Sequence, residues 1–160
     1  MLETPAPDSP ILVAVDFSFH SEAALVWAFR VARSFAVPLI VLHVVHDPGS
    51  APGYYAHTKR RKHLRRLEEA AGEMLEEFLA AATAKHPELG QTPSLESALV
   101  VGLPVNRILE FAETRGAQMI VMGSLGRTGL AFLGSKAERV VRLSPISVTV
   151  VKAGTRRARK

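Results

Sequence analysis

The residues best placed to do chemistry in this chain are glycines and hydroxyls rather than acids or thiols. Met122-Gly123-Ser124-Leu125-Gly126-Arg127-Thr128-Gly129, with Gly134-Ser135 close behind, follows the apolar run Ala117-Gln118-Met119-Ile120-Val121 and leads into a helical stretch. An apolar strand, a glycine turn and a helix start are the arrangement that cradles phosphates. Glycine lets the backbone approach an anion closely, and a helix N-terminus offers unpaired N–H groups at the positive end of its dipole. If the chain binds a nucleotide, it does so here.

The other candidates are weaker. Asp16 follows five apolar residues, Ile11 to Val15, and reads either as a ligand-facing carboxylate or as a residue closing the turn Asp16-Phe17-Ser18 before a helix. Gly123 and Gly126 would equally permit a tight turn. Ser135 would cap its helix on either reading, since capping and phosphate binding use the same hydroxyl. Arg127 is a cation beside the proposed phosphates, or simply a solvated loop residue. His43 and His46 form a tempting metal pair, but three residues apart on a strand they point to opposite sides. No protein metal site is expected, and any magnesium would arrive on the nucleotide. The nucleophile elbow, the Walker lysine and zinc-hydrolase spacing are all missing from the sequence. The chain reads as a binder rather than an efficient enzyme.

Composition bounds these readings. The sequence has 160 residues, 48% hydrophobic and 22% charged, with no cysteine. One domain with a sizeable core is expected, and thiol nucleophiles, disulfides and thiolate zinc sites are excluded. The opening Met1-Leu2-Glu3-Thr4-Pro5-Ala6-Pro7-Asp8 is unlike a signal peptide, and no apolar run reaches the roughly 18–20 residues of a membrane span. A cytoplasmic location is expected. The net charge of +5 gathers in Lys59-Arg60-Arg61-Lys62-His63-Leu64-Arg65-Arg66 and in the tail Arg156 to Lys160. Glutamates follow the first cluster and no aromatic platform accompanies either, so solvated surface is the better reading than nucleic-acid binding.

The elements that must position the glycine loop alternate along the chain. Pro10 to Asp16 reads as a strand buried on both faces, and Pro38 to Val45, Leu95 to Val101, Gln118 to Met122 and Ile146 to Val151 read as further strands. Between them, helices are expected over about Ser21 to Phe35, with Ser18 as cap, and Thr58 to Lys85. A third runs from Pro104 to a stop at Arg115-Gly116, and a fourth from Lys136 to Leu143. Such alternation predicts an α/β fold with a parallel sheet, right-handed crossovers and helices on both faces. Ligands in such sheets bind beyond the carboxyl ends of the strands, which here are Asp16 and Gly123. Residues 1–9 read as a disordered arm, 10–152 as the domain and 153–160 as a basic tail.

Five segments together resemble the universal stress protein family: Val13-Ala14-Val15-Asp16-Phe17-Ser18, Leu42-His43-Val44-Val45, Val101-Gly102-Leu103-Pro104, the Met122 to Gly129 loop, and Gly134-Ser135-Lys136-Ala137-Glu138-Arg139-Val140-Val141. Their order covers about Pro10 to Lys152. The resemblance implies a five-stranded parallel sheet of order 3-2-1-4-5, a Rossmann-like fold of the adenine nucleotide alpha hydrolase-like kind. It also implies a homodimer, with ATP or ADP, accompanied by magnesium, between strands one and four.

Carried over by residue, the implied nucleotide site comprises Ala14, Val15 and Asp16 at the end of the first strand and Val44 beside the adenine. Met122, Gly123, Gly126 and Arg127 would surround ribose and phosphates, and Gly134, Ser135 and Lys136 would stand at the next helix start. One spacing departs from the family pattern, which has nine residues between its second glycine and the Gly-Ser pair. Here seven separate Gly126 from Gly134. Two missing residues shorten the connection by about 3 Å if helical and about 7 Å if extended.

Three functions follow as alternatives: an ATP-binding stress-response regulator, a dimeric interaction module that has lost the nucleotide, and a slow ATPase. The last strand, Val148 to Val151, is an expected sheet edge that a second copy would cover, together with an unknown protein partner elsewhere. The Pro- and Gly-rich Asp47 to Tyr55 segment is a candidate flap beside the adenine.

Overall fold

A computed structural model describes residues 5–46, 56–92, 94–125 and 133–154. Five short strands, β1 (Ile11–Ala14), β2 (Leu39–His46), β3 (Leu95–Gly102), β4 (Met119–Gly123) and β5 (Ser147–Val151), alternate with four helices. The helices are α1 (Phe19–Phe35), α2 (Ala56–Lys85), α3 (Pro104–Thr114) and α4 (Ser135–Leu143). All strand pairs are parallel and the order is β3-β2-β1-β4-β5, the 3-2-1-4-5 sheet expected.

The period of two along each strand divides one sheet into two cores. On one face Ile11, Val13, Leu39, Val41 and Val121 pack against Leu25, Ala28 and Phe29 of α1 and Leu75 and Ala82 of α2. On the other, Leu12, Ile40, Leu42, Ile120 and Met122 meet Val105 and Ile108 of α3 and Ala137 and Val140 of α4. Burial on both faces is why β1, β4 and the first half of β2 are purely apolar or nearly so, whereas the edge strands β3 and β5 are half-buried or exposed and carry Glu96, Ser97 and Thr149. A fully buried Ile, Leu or Val side chain contributes roughly 1.5–3 kcal/mol here.

The local punctuation follows the sequence closely. Ser18 caps α1, its hydroxyl accepting from Ser21 N–H at 3.2 Å, so the helix starts at Phe19 rather than Ser21. Pro104 takes the first turn of α3, and Gly116 follows that helix at φ 60°. A short 3₁₀ turn, Pro87–Gln91, buries Leu89 after α2, an element too brief to show a period in the sequence. Residues 5–9, expected within a disordered arm, make a turn in which Ser9 N–H donates to Ala6 O. Residues 1–4, the Asp47 to Tyr55 flap and residues 155–160 of the tail lie outside the described residues. Among the described residues no helix is long and apolar enough to cross a membrane.

Candidate functional site

β1 leaves the sheet sooner than its sequence suggests. Val15 N–H still donates to Leu42 O at 2.9 Å, but the strand ends at Ala14, and Asp16 stands two residues beyond it rather than closing it. A side chain meets the next carbonyl. His43, on β2, places Nδ1 2.8 Å from Val15 O. A carbonyl only accepts, so Nδ1 carries the proton and donates. Asp16 Oδ1 then accepts from Ser18 N–H at 3.1 Å, closing the turn around Phe17, whose φ of 65° is left-handed. A non-glycine residue in that region costs on the order of 1–3 kcal/mol and persists where its surroundings over-determine it. The surroundings here are aromatic. The Phe17 ring stacks on the His43 imidazole with centroids 4.2 Å apart and meets Phe78 of α2 at 5.6 Å.

β4 ends in a different way. Gly123 is required by packing: a Cβ there would lie 2.7 Å from the carbonyl carbon of His20 and 2.8 Å from its oxygen, at the first turn of α1. Ser124 N–H then donates to Val151 O at 2.9 Å, and Ser124 O accepts from Gly134 N–H at 2.7 Å. That last bond pins the two ends of the shortened loop together, whatever path lies between them. Two expectations change as a result. The Gly134 amide, expected to meet a phosphate, is already engaged. The N-cap of α4 is Gly134 and not Ser135, which is the first helical residue, and among the described residues no side chain caps the helix. The chain returns to Ser124 with Gly134 in the extended, half-in position, one residue earlier than the hydroxyl. The amides of the first turn, beginning at Ser135 and Lys136, have no side-chain acceptor among the described residues.

Both strand ends open into one cavity of about 470 Å³ at the carboxyl edge of the sheet. Ala14, Val15, Asp16, Val44, Met122, Gly123, Gly134, Ser135 and Lys136 all border it. Gly126 and Arg127 lie outside the described residues. The α4 N-terminus therefore faces a recess large enough for a nucleotide's base and sugar, with Asp16 as the carboxylate across from it. A second depression, about 380 Å³, lies at the opposite end of the sheet among Ala112, Ala117, Ile120 and Ile146, with Glu113 and without any helix N-terminus. Among the described residues only the first brings a helix N-terminus to apolar walls.

Sequence reasoning missed several walls of this cavity. Leu67, Ala70 and Met74 of α2, and Pro104 and Ile108 of α3, also border it, as do Phe17, His43 and His46. Leu67 and Met74 recur at helical spacing in the sequence, but that spacing does not say which part of a helix covers the sheet and which overhangs its edge. Burial lowers the pKa of the His43 imidazole below its ordinary 6.5, with a smaller push from Lys136, against an opposing pull from the Val15 carbonyl and Asp16. The imidazole is therefore held neutral near pH 7. Among the described residues no group of three His, Asp or Glu side chains could hold a metal ion.

Comparison with known proteins agrees with this architecture. A universal stress protein of Lactobacillus plantarum superposes with a TM-score of 0.70 over 91% of this chain and 99% of its own, at 24% identity, which speaks to the fold. The universal stress protein of Archaeoglobus fulgidus in complex with dAMP is 26% identical, with a TM-score of 0.59 over 89% of this chain and 97% of that one. In sequence, a universal stress protein of Methanocaldococcus jannaschii is 33% identical over 146 residues, 89% of this chain and 81% of the relative. One from Thermus aquaticus is 32% identical over 89% of this chain and 97% of its own length. The sequence profile described as Universal stress protein family matches residues 9–152. With the sheet order, the glycine loop and the profile in agreement, the chain belongs to the universal stress protein family.

Proposed function

We propose that this chain binds an adenine nucleotide, ATP or ADP, between the ends of β1 and β4 and acts as a nucleotide-dependent regulator of a stress response in the cytoplasm. The observation that carries the reading is the N-terminus of α4, which begins at a glycine cap and has no side-chain cap among the described residues, facing the 470 Å³ cavity. A helix start that no side chain satisfies is suited to phosphate oxygens, and the dipole favours their charge. The base would lie against Val44 and Met122, and Asp16 would offer its second carboxylate oxygen to the ligand or to magnesium carried on the phosphates. The dAMP complex of the Archaeoglobus fulgidus relative supports an adenine ligand. On this reading the protein holds its nucleotide and does not turn it over, in keeping with a sequence that carries no Walker lysine or nucleophile elbow.

A homodimer through β5 completes the proposal. The sheet has two edges, and they differ. β3 is guarded by charge: Arg107 Nε donates to Val101 O at 2.9 Å, and Glu96 holds Arg115 in a fork at 2.6 and 2.5 Å. β5 presents Val148, Thr149, Val150 and Val151 with no such device among the described residues. An apolar, unguarded edge is the one a second copy would cover. Val150→Pro should then elute as a monomer on size-exclusion chromatography; an unchanged dimer would move the interface elsewhere.

One observation favours the second reading, an interaction dimer without nucleotide. The Gly134 amide is spent on Ser124 O, inside a loop two residues short of the family spacing. Isothermal titration with ATP and magnesium decides between them, with Gly134→Asp alongside. Gly134 has φ −63° and ψ 143°, which any residue adopts, so an aspartate there can cap α4 with its own carboxylate. Micromolar binding that weakens at least about tenfold in Gly134→Asp supports the nucleotide site. No binding by the unaltered protein would leave the interaction module.

A further inference from the structure

We propose that His43 is a positioning residue of the cavity: it turns the chain out of the sheet after β1 and so sets where Asp16 stands. The functional weight of this rests on the nucleotide reading above, though the geometry does not. Register explains why a side chain is needed. Ala14 pairs with Leu42, and Val15 N–H makes the last backbone bond between the two strands. One step further, a continuing ladder would hand the Val15 carbonyl to the backbone of β2. Instead the carbonyl meets the His43 imidazole at 2.8 Å, and no further backbone bond between these segments follows.

The consequences run in sequence from that bond. With its carbonyl drawn toward a side chain, Val15 is followed by Asp16 outside the sheet. Phe17 adopts φ 65°, held by its stack on the same imidazole, and Asp16 Oδ1 turns back to Ser18 N–H. One ring thus fixes both the backbone before Asp16 and the side chain after it. A residue that merely filled space could stack on Phe17 but would leave the carbonyl unpaired. A residue that only donated would satisfy the carbonyl and lose the stack. Histidine at the fourth residue from the end of β2 supplies both.

The test separates these roles. His43→Phe keeps an aromatic ring and removes the donor; His43→Asn keeps a donor amide near the Nδ1 position. We expect Ser18 amide hydrogen exchange in His43→Phe to quicken about tenfold relative to the unaltered protein, and in His43→Asn to stay within about threefold. ATP affinity should follow the same order, with about a tenfold loss in the first and near-recovery in the second. Equal exchange at Ser18 in His43→Phe and the unaltered protein would overturn the proposal. So would a nitrogen NMR spectrum of the unaltered protein showing the imidazole protonated on Nε2 alone, a measurement that needs no variant to fold. If the unaltered protein binds no ATP, the nucleotide reading fails, while the exchange and tautomer results still decide the role of His43.

Discussion

Two helix N-termini meet at the same cavity and are treated in opposite ways. At α1 the chain satisfies itself: Ser18 accepts from Ser21 N–H, Asp16 accepts from Ser18 N–H, and Glu22 stands in the first turn. At α4 the cap is a glycine with no side chain to offer, and the backbone alone, through Ser124 O, fixes where the helix begins. The physical difference is where each helix keeps its positive end. A capped start is closed to a ligand, whereas a bare one pointing into a recess retains its donors for an anion. The lesson is that the candidate site is marked by a helix start for which no described side chain supplies the cap.

That contrast can be broken at several places. The largest effect is expected where the two ends touch, at Gly123, whose missing Cβ makes room for the His20 backbone. Gly123→Ala should cost about 2–3 kcal/mol in urea denaturation, because backbone cannot yield as a flexible side chain would. A loss under about 0.5 kcal/mol would mean that α1 moves freely against β4. This also disqualifies bulky substitutions at Gly123 as probes of ligand binding.

Next comes the exchange of character between the helices. Gly134→Asp should leave stability unchanged or raise it by a few tenths of a kcal/mol, while ATP binding falls by about 1.4 kcal/mol or more. Ser18→Ala should do the reverse, losing about 1 kcal/mol of stability with a smaller effect on binding. Thermal denaturation and titration on the same two proteins would reveal whether the two ends are as different as their caps. If both variants lose stability alike and neither changes affinity, the contrast has no functional content.

The smallest expected effect is on pH. His43 titrates below its ordinary 6.5 in the folded chain because burial disfavours the imidazolium. Above pH 6.5 both folded and unfolded forms keep the ring neutral. As the pH falls from 6.5 toward the lowered folded value, the unfolded chain takes up a proton that the folded one resists, so stability declines through that window. Denaturation at pH 7.5 and 5.5 should show this acid slope in the unaltered protein and a shallower one in His43→Phe. An identical slope would assign it to other groups.

The strands and helices were legible because central strands buried on both faces leave apolar runs, and because Pro104, Gly116 and Ser18 mark element ends by their own geometry, whereas the strand order came from the family resemblance. Asp16 was harder. Five apolar residues before it suggested a strand reaching the carboxylate, but β1 stops at Ala14, since a side chain from β2 competes for the next carbonyl. His43 was weighed only as a metal ligand, for its bond to Val15 spans 28 positions of sequence and no local pattern signals it. Ser135 looked like the obvious cap; where a helix starts after a loop depends on how the loop closes, and Ser124 decided that.

By itself, then, the sequence determined which segments become strands and helices, the parallel alternation, and the composition of the glycine turn. These depend on periodicity and on backbone preferences carried by single residues. Tertiary structure alone decided that β1 gives way to His43, that Gly123 is small for the sake of His20, and that α4 begins bare at Gly134. Each of those depends on a contact between segments far apart in the chain, where packing and hydrogen-bond satisfaction outweigh local preference.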